Sequence, residues 1–350
     1  MRERSPLKSA LQQIATFPAF LYGILLALAG LCVYLTGVFI GFLRLLCQGD
    51  GLWLWVADRI VWYSGMPVVA GGLLICYDLF VLFPSKRRTM PVRWAPPSDC
   101  GVTVVLSAYN DELSIGAAVE DFKAHPLVRR VIVVDNNSSD RTSQCARAAG
   151  ALVVNEPLQG YGNCVYRALS EGLSFTDTEL TLLCEGDMTF RAYDIEKFLA
   201  YLPHADIVNG TRISEQLRER RTQLSTFMYY GNFFAGKLLE VKHLGRGTFT
   251  DVGTTYKLCR NQALEVLMPY LNPEINLEFN AHFLDTALAQ GLAVVECPIT
   301  FHNRVGLSKG GNSSNLKALA VGSRMIFGLV AGWRKPRMPR QLAQRDPLQG

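Results

Sequence analysis

The sequence predicts an α/β domain carried on two membrane-spanning helices and followed by one amphipathic helix. Three observations predict it. From Phe17 to Leu43 the chain is apolar, within a stretch between Lys8 and Arg44 that holds no charged side chain. A second apolar run, Ile60 to Phe83, has Asp78 as its one charge. From Val102 onward, short β-branched runs alternate with amphipathic stretches, the texture of strands and helices layered on a largely parallel sheet. Composition agrees: 49% hydrophobic and 19% charged residues are too apolar and too charge-poor for an ordinary soluble domain of 350 residues. With 30 Gly and 16 Pro, usage is near normal, which excludes collagen-like and disordered classes.

The elements follow in chain order. Residues 17–43 exceed the roughly 20 apolar residues that cross a bilayer. A cleaved signal peptide does not fit, because the run is too long for its apolar region and no A-x-A site follows. The segment QGDGLWLWVADR is expected to be an interfacial loop, with its Trp53 and Trp55, and Trp62 just beyond it, at headgroup level. A returning span over 60–83 completes an N-terminal membrane region, residues 1–95. Arg2, Arg4 and Lys8 precede the first span, and Lys86, Arg87, Arg88 and Arg93 follow the second. The loop between carries Asp50, Asp58 and Arg59, so the positive-inside rule puts both ends in the cytoplasm. Asp78 belongs near the interface or paired within the protein, since a lipid-facing carboxylate is costly.

Within residues 96–312, strands are expected over 102–107, 130–135, 151–155, 180–184, 206–210, near TDVGTTYKL, and over 292–298. Helical patterns fall between them, over 112–124, 141–149, 160–173 and 193–201. The apolar stretch of 313–335 contains Lys317 and Arg324, which suits a helix lying in the membrane interface better than a third span. Residues 336–350 read as a flexible basic tail.

The net charge of +5 sits in clusters beside apolar stretches, a pattern that points to headgroups and not to nucleic acid. Nine Cys with no C-x-x-C pair and no paired His indicate reduced thiols, a cytosolic environment and no zinc site. No G-x-G-x-x-G follows the first strand and no P-loop motif occurs, which argues against dehydrogenases and P-loop NTPases.

Three strand ends deliver carboxylate-rich tips: SAYNDE, DNNSSDRT and EGD. Ligands gather at the carboxyl ends of such strands. Ser138, Ser139 or Asp140 is expected to cap the helix starting near Arg141, and Asp135 is open to capping or to function. Glu185 and Asp187 flank a glycine directly after a buried-type strand, an arrangement that gathers the oxygen ligands a hard divalent cation needs. Cations near strand ends are Arg212, Arg220, Arg221, Arg304 and Lys309, although the RERR cluster also reads as a solvated helix face.

Taken together, these segments resemble glycosyltransferase family 2, with its GT-A fold (a Rossmann-like mixed sheet), and within it the polyprenyl-phosphate glycosyltransferases typified by dolichol-phosphate-mannose synthases. The resemblance covers roughly residues 100–312. VVLSAYNDE is similar to the family's P-x-Y-N-E, VIVVDNNSSDRT to V-D-D-G-S-x-D-x-T, and NEPLQGYGNCVYRALSEG to N-x-G-K-G-x-A-x-x-x-G. EGDMTF takes the D-x-D place, VNGTR the G-S-R place, FTDVGTTYKLCR the D-x-x-S-G-F-x-x-x-R place, and PITFHNRVGLSKGG the lipid-acceptor motif. The Q-x-x-R-W of processive synthases is absent. Glu185 replaces the first Asp of D-x-D, Thr189 stands where many members have a Gln, and Tyr161 replaces the Lys of G-K-G.

The resemblance implies a donor site for a UDP- or GDP-sugar at Ala108, Tyr109, Asn110, Glu112, Asp135, Asn137, Gly160, Gly162, Glu185 and Gly186. It implies Mg2+ or Mn2+ at Asp187, with Glu185 and Thr189 as further ligands. Arg212, Arg304 and Lys309 would hold the phosphate of an undecaprenyl or dolichyl acceptor in the membrane, with Arg221 and Arg260 as weaker candidates; Arg260 alternatively braces the sheet. Asp251 would orient an arginine or a sugar hydroxyl, or serve structure alone. A single displacement implies inversion at the anomeric carbon. Two alternatives stand beside this reading: a lipid hydroxyl or lipid-linked sugar acceptor with Asp251 or Glu278 as general base, and a membrane scaffold with a degenerate site. Self-association into a homo-oligomer stays open.

Overall fold

The computed structural model describes residues 17–47, 51–86, 93–219, 222, 224–306 and 315–334. Lys309, Arg220 and Arg221, the flanking Arg2, Arg4, Lys8, Arg87 and Arg88, and the tail 336–350 lie outside the described residues. The chain forms two compact units, one of residues 1–89 with 240–246 and one of residues 90–239 with 247–350.

The first unit is a helical hairpin. Helix α1 spans Ala19–Cys47 and α2 spans Gly51–Tyr77, which runs on through a π-helical turn, Asp78–Leu82, into a short α-helical turn, Phe83–Lys86. Both helices are long and apolar enough to cross a membrane. The second starts well before Ile60: GLWLWVADR is helical, so Trp53 and Trp55 lie on α2 and not in an interfacial loop. Nothing in that segment breaks a helix, and continuing it satisfies every backbone group within the helix, as a bilayer demands. Small residues recur every seventh position on the packed faces, at Gly23, Gly30 and Gly37 of α1 and at Ala57, Ser64 and Gly71 of α2. Such stripes let two helix backbones approach closely. A Cβ on Gly23 would lie 2.7 Å from the Gly71 carbonyl oxygen, and one on Gly30 2.9 Å from that of Ser64. Asp78 continues the stripe, fully buried, and its Oδ2 accepts a 2.7 Å hydrogen bond from the Phe20 amide. One of the orphan donors at the start of α1 is thereby satisfied.

The second unit is built on a seven-stranded sheet in the order β3-β2-β1-β4-β6-β5-β7. The strands are β1 Val102–Ala108, β2 Val128–Asp135, β3 Leu152–Asn155, β4 Leu180–Glu185, β5 Ile207–Thr211, β6 Lys257–Arg260 and β7 Val294–Pro298. The helices are α3 Ile115–Lys123, α4 Thr142–Ala148, α5 Tyr161–Leu173, α6 Ile195–Tyr201, α7 Thr226–Lys242, α8 Asn261–Leu267, α9 Phe279–Ala289 and α10 Asn315–Ala331. Every residue of β1 is buried, because helices cover both faces, and this is why its sequence VTVVLSA is nearly continuous in apolar residues.

The sheet is mixed. β6 runs antiparallel to both β4 and β5, while β5 and β7 are parallel. This reversal positions the site: the carboxyl ends of β1, β2, β4, β5 and β7 share one edge with the segment that enters β6. Of the run TDVGTTYKL, only its last two residues are strand, and the rest forms a loop at that edge. Helix α10 buries Met325 and Leu329, pairs Arg324 with Glu278, and leaves Leu316, Leu319 and Phe327 exposed. Trp333 just beyond it donates from Nε1 to Asp285 Oδ2 at 2.6 Å.

Candidate active site

One cavity of about 830 Å3 opens at this edge of the sheet. Register brings the strand ends beneath it together: Ser107 at the end of β1 pairs with Glu185 at the end of β4, and Ala108 pairs with Asp135, which itself does not line the cavity. Ala108, Tyr109, Gly160, Glu185, Asp187, Thr189, Arg212 and Arg304 all line the cavity.

Arg304 reaches the site from the segment after β7. Backbone bonds from His302 N to Thr189 O (3.0 Å) and from Val305 N to Asp187 O (3.1 Å) lay that segment along the EGDMT turn. The guanidinium then bridges two carboxylates, with Nη2 2.8 Å from Asp111 Oδ1 and Nη1 3.0 Å from Asp187 Oδ2. Burial opposes its charge, but Asp187, Glu185 and Asp111 outweigh that and raise its pKa. Its Nε is buried with no hydrogen-bond partner among the described residues.

Arg212, at the end of β5, makes a two-pronged pair with Asp251, with Nε to Oδ2 at 2.7 Å and Nη2 to Oδ1 at 2.8 Å. The backbone amides of Arg212 and Gly253 also donate to Asp251, each at 3.1 Å. Asp251 is fully buried and does not line the cavity. Burial alone would raise its carboxyl, but Arg212 holds it below the usual range.

The structure brings Glu185 and Asp187 side by side. Burial and the Asp187 charge push the Glu185 carboxyl up to about 7. Asp187 Oδ1 accepts from Thr189 N at 3.1 Å and from Thr189 Oγ1 at 2.5 Å. Thr189 therefore orients Asp187, its hydroxyl giving its proton to that carboxylate.

Other expected residues hold the loops that frame the cavity and do not line it. Asp135 accepts from Ser138 N at 3.0 Å and from the Ser143 hydroxyl. Asn110, with φ of 52°, accepts from Ser139 N at 2.7 Å. Glu112 receives the Arg141 amide at 3.2 Å. Asn137 turns the chain with φ of 59°. Asp140 Oδ1 accepts from the Thr142 amide at 3.0 Å just before α4, whose N-cap position is Arg141. Gly162 is where α5 meets the segment before α9: a Cβ there would stand 1.7 Å from the Ile275 carbonyl oxygen. Gly186 donates to Ser107 O at 3.0 Å and leaves room for Ile115. Arg260 is remote from the cavity and donates from Nε to the Ala205 carbonyl (3.1 Å), bracing the sheet.

Several cavity residues escaped the sequence reading. Asp111 is the clearest, since it and not Glu112 occupies the final position of the P-x-Y-N-E pattern in VVLSAYNDE. Asn136, Asn276 and Asn280 also line the cavity. Asn280 carried one signal, a polar side chain near the start of a helix whose residues Phe279–Leu288 are all buried. A second wall is apolar, formed by Phe227, Tyr230 and Phe234 of α7 with Leu319, Met325 and Ile326 of α10.

Comparison with known proteins decides the family. The description glycosyl transferase family 2 matches residues 103–267. Protein RfbJ of Shigella flexneri is 34% identical over 113 residues, which cover 32% of this chain and 84% of RfbJ. The chain belongs to glycosyl transferase family 2.

The dolichyl-phosphate hexose transferase of Haloferax volcanii is 26% identical to this glycosyltransferase over 213 residues, 59% of this chain and 86% of that one. An uncharacterized glycosyltransferase of Mycobacterium tuberculosis is 39% identical over 112 residues; the enzyme spans about half of its length, 48%. Among solved structures, a mycobacterial protein shares the fold with a TM-score of 0.50 at 19% identity, over 66% of this chain and 74% of the other. The glucosyl-3-phosphoglycerate synthase of Mycobacterium tuberculosis, in complex with Mn2+, UDP and glucosyl-3-phosphoglycerate, gives 0.48 at 19% identity, over 65% and 78%.

The site's donor set fits a hard divalent ion. Its donors are carboxylate oxygens, and the crowding of negative charge at Glu185 and Asp187 is what such an ion relieves. Among the described residues no group of three or more His, Cys, Asp or Glu gathers at metal-binding spacing. The glycosyltransferase itself thus offers two carboxylates.

Proposed function

We propose that this membrane-associated glycosyltransferase moves a sugar from a nucleoside-diphosphate donor to a polyprenyl monophosphate, with inversion at the anomeric carbon and on the cytoplasmic face. The observation that carries the reading is the continuity of one cavity, from the carboxylates and arginines at the sheet edge to an apolar wall on α7 and α10. A phosphate head and a prenyl chain need these two surroundings joined.

Glu185 and Asp187 would hold Mg2+ or Mn2+, which supplies positive charge to the departing pyrophosphate when bound. Arg304 and Arg212 would take the acceptor phosphate. Nε and Nη2 of Arg212 are committed to Asp251, so the pair fixes the orientation in which the remaining edge meets the cavity. Lys309 is a third candidate for the same role. A phosphate monoester has its second pKa near ~6, so it is largely dianionic at neutral pH and attacks without a base. A hydroxyl acceptor would need one. Asp251 is engaged by Arg212 and Glu278 by Arg324, so neither carboxylate favours that alternative. The two apolar helices tether the chain to the bilayer in which such an acceptor is dissolved, and the clustered basic residues outside them favour cytoplasmic ends.

The test is a donor survey on the full chain in detergent. Undecaprenyl and dolichyl phosphates are offered with Mg2+ or Mn2+ and labelled UDP- and GDP-sugars. Nucleotide release coupled to a butanol-extractable labelled lipid, abolished in Asp187→Asn, is the expected result. Release with no lipid product overturns the acceptor assignment.

A further inference from the structure

Three side chains from three elements converge behind Glu185. Thr255, on the loop entering β6, places Oγ1 2.6 Å from Glu185 Oε1. The Tyr161 hydroxyl, at the start of α5, meets Thr255 Oγ1. Asn280, at the start of α9, places Nδ2 2.9 Å from that Tyr161 oxygen and 3.3 Å from Thr255 Oγ1.

The direction of these bonds follows from what each group can donate. Lys257 Nζ donates to Asn280 Oδ1 at 3.3 Å. The Asn280 amide also lies 3.1 Å from the Gly253 carbonyl, an acceptor only. Its oxygen therefore faces Lys257 and its NH2 faces Tyr161. Tyr161 then accepts from Asn280 and gives its own proton to Thr255, and Thr255 gives its proton to the Glu185 carboxylate. Every donor in the chain points toward Glu185, and hydrogen bonds aligned in series polarise one another.

Position 161 is where the family pattern carries lysine, and here a neutral donor stands in its place. Resting on the reading of Glu185 and Asp187 as the divalent-ion site, we propose that Tyr161 is a positioning residue for Glu185. It acts through Thr255, is held by Asn280, and fixes the rotamer in which the longer glutamate arm presents its free oxygen beside Asp187. A glutamate has one more rotatable bond than the aspartate of D-x-D, so it needs an outer hydrogen bond to hold it. Without the relay, the ion site would lose its second carboxylate more often than its first.

The experiment titrates Mn2+ alone into the full chain in detergent and reads free Mn2+ by EPR. Losing an outer hydrogen bond to a ligand lowers metal affinity by roughly 10- to 100-fold. Tyr161→Phe keeps the ring and removes the hydroxyl, and weakening of about tenfold is expected with an unchanged melting temperature. Thr255→Val should weaken binding at least as much. The double variant should be no worse than Thr255→Val alone, because the two act in series. In a Glu185→Gln background, Tyr161→Phe should change nothing further. An affinity within twofold of wild type in both single variants, while Asp187→Asn abolishes binding, overturns the relay and leaves the ion site standing. Additive losses also overturn it, since independent packing defects would add. Wild type with no Mn2+ binding at all overturns the ion site and the relay together.

Discussion

Replacing Asp251 by Asn tests whether this carboxylate is structural or chemical. Asp251 is fully buried and takes hydrogen bonds from Arg212 Nε, Nη2 and backbone N and from Gly253 N. An asparagine keeps the shape but turns one acceptor into a donor aimed at the guanidinium, and it leaves the Arg212 charge uncompensated in a buried site. Breaking a buried pair from one side costs about 3–5 kcal/mol. For a unit of this size that lowers the melting temperature by roughly 10 °C. Because Arg212 depresses the Asp251 pKa, the stability that the pair contributes is complete above the ordinary carboxylate value near ~4 and is lost as pH falls below it. The deficit of Asp251→Asn should therefore be constant between about pH 5 and 9 and shrink in acid. Thermal unfolding in detergent across that range measures it, with sugar transfer assayed in parallel. A variant that melts like wild type yet has lost turnover would refute the reasoning and mark Asp251 as a base. Arg212→Met combined with Asp251→Leu should recover most of the lost stability while turnover stays lost.

Three further outcomes follow from the packing. Gly162→Ala should abolish folding or donor binding, because a Cβ would stand 1.7 Å from the Ile275 carbonyl oxygen; a soluble variant with normal activity would contradict it. In the helical hairpin, Gly30→Leu meets Val68 Cγ2 at 2.7 Å and should lower the melting temperature in detergent, whereas Gly65→Leu, with nothing within 4 Å, should not. Lys257 is fully buried, and burial lowers its pKa to about 7. The unfolded chain then holds one more proton between about pH 7 and 10, so wild-type stability should rise with pH relative to Lys257→Met by roughly 1.4 kcal/mol per unit. Parallel denaturation curves of the two proteins across that window measure this slope, and its absence refutes the prediction.

Much of the architecture was legible because it depends on local pattern. Apolar run length sets the two spans, and buried β-branched runs set β1, β2, β4 and β5. The carboxylate tips on β1, β2 and β4 stood out because strand ends are where a parallel sheet gathers ligands. Boundaries were less legible: α2 starts at Gly51, because nothing in GLWLWVADR breaks a helix, and the turn-like look of QGDG hid that start.

What the sequence by itself determined, then, is the element types, the family motifs and the charge inventory, since each is encoded within a few neighbouring residues. Which residue faces the cavity was decided only by tertiary structure. Asp111 and Glu112 are adjacent and alike in chemistry, yet one meets Arg304 and the other Arg141. Both lie in the turn after β1, and only the packed partner says which of the two side chains faces the site. The same holds for Tyr161, Thr255 and Asn280. They are far apart along the chain, and it is the antiparallel course of β6 and the seat of Gly162 on Ile275 that bring them to Glu185.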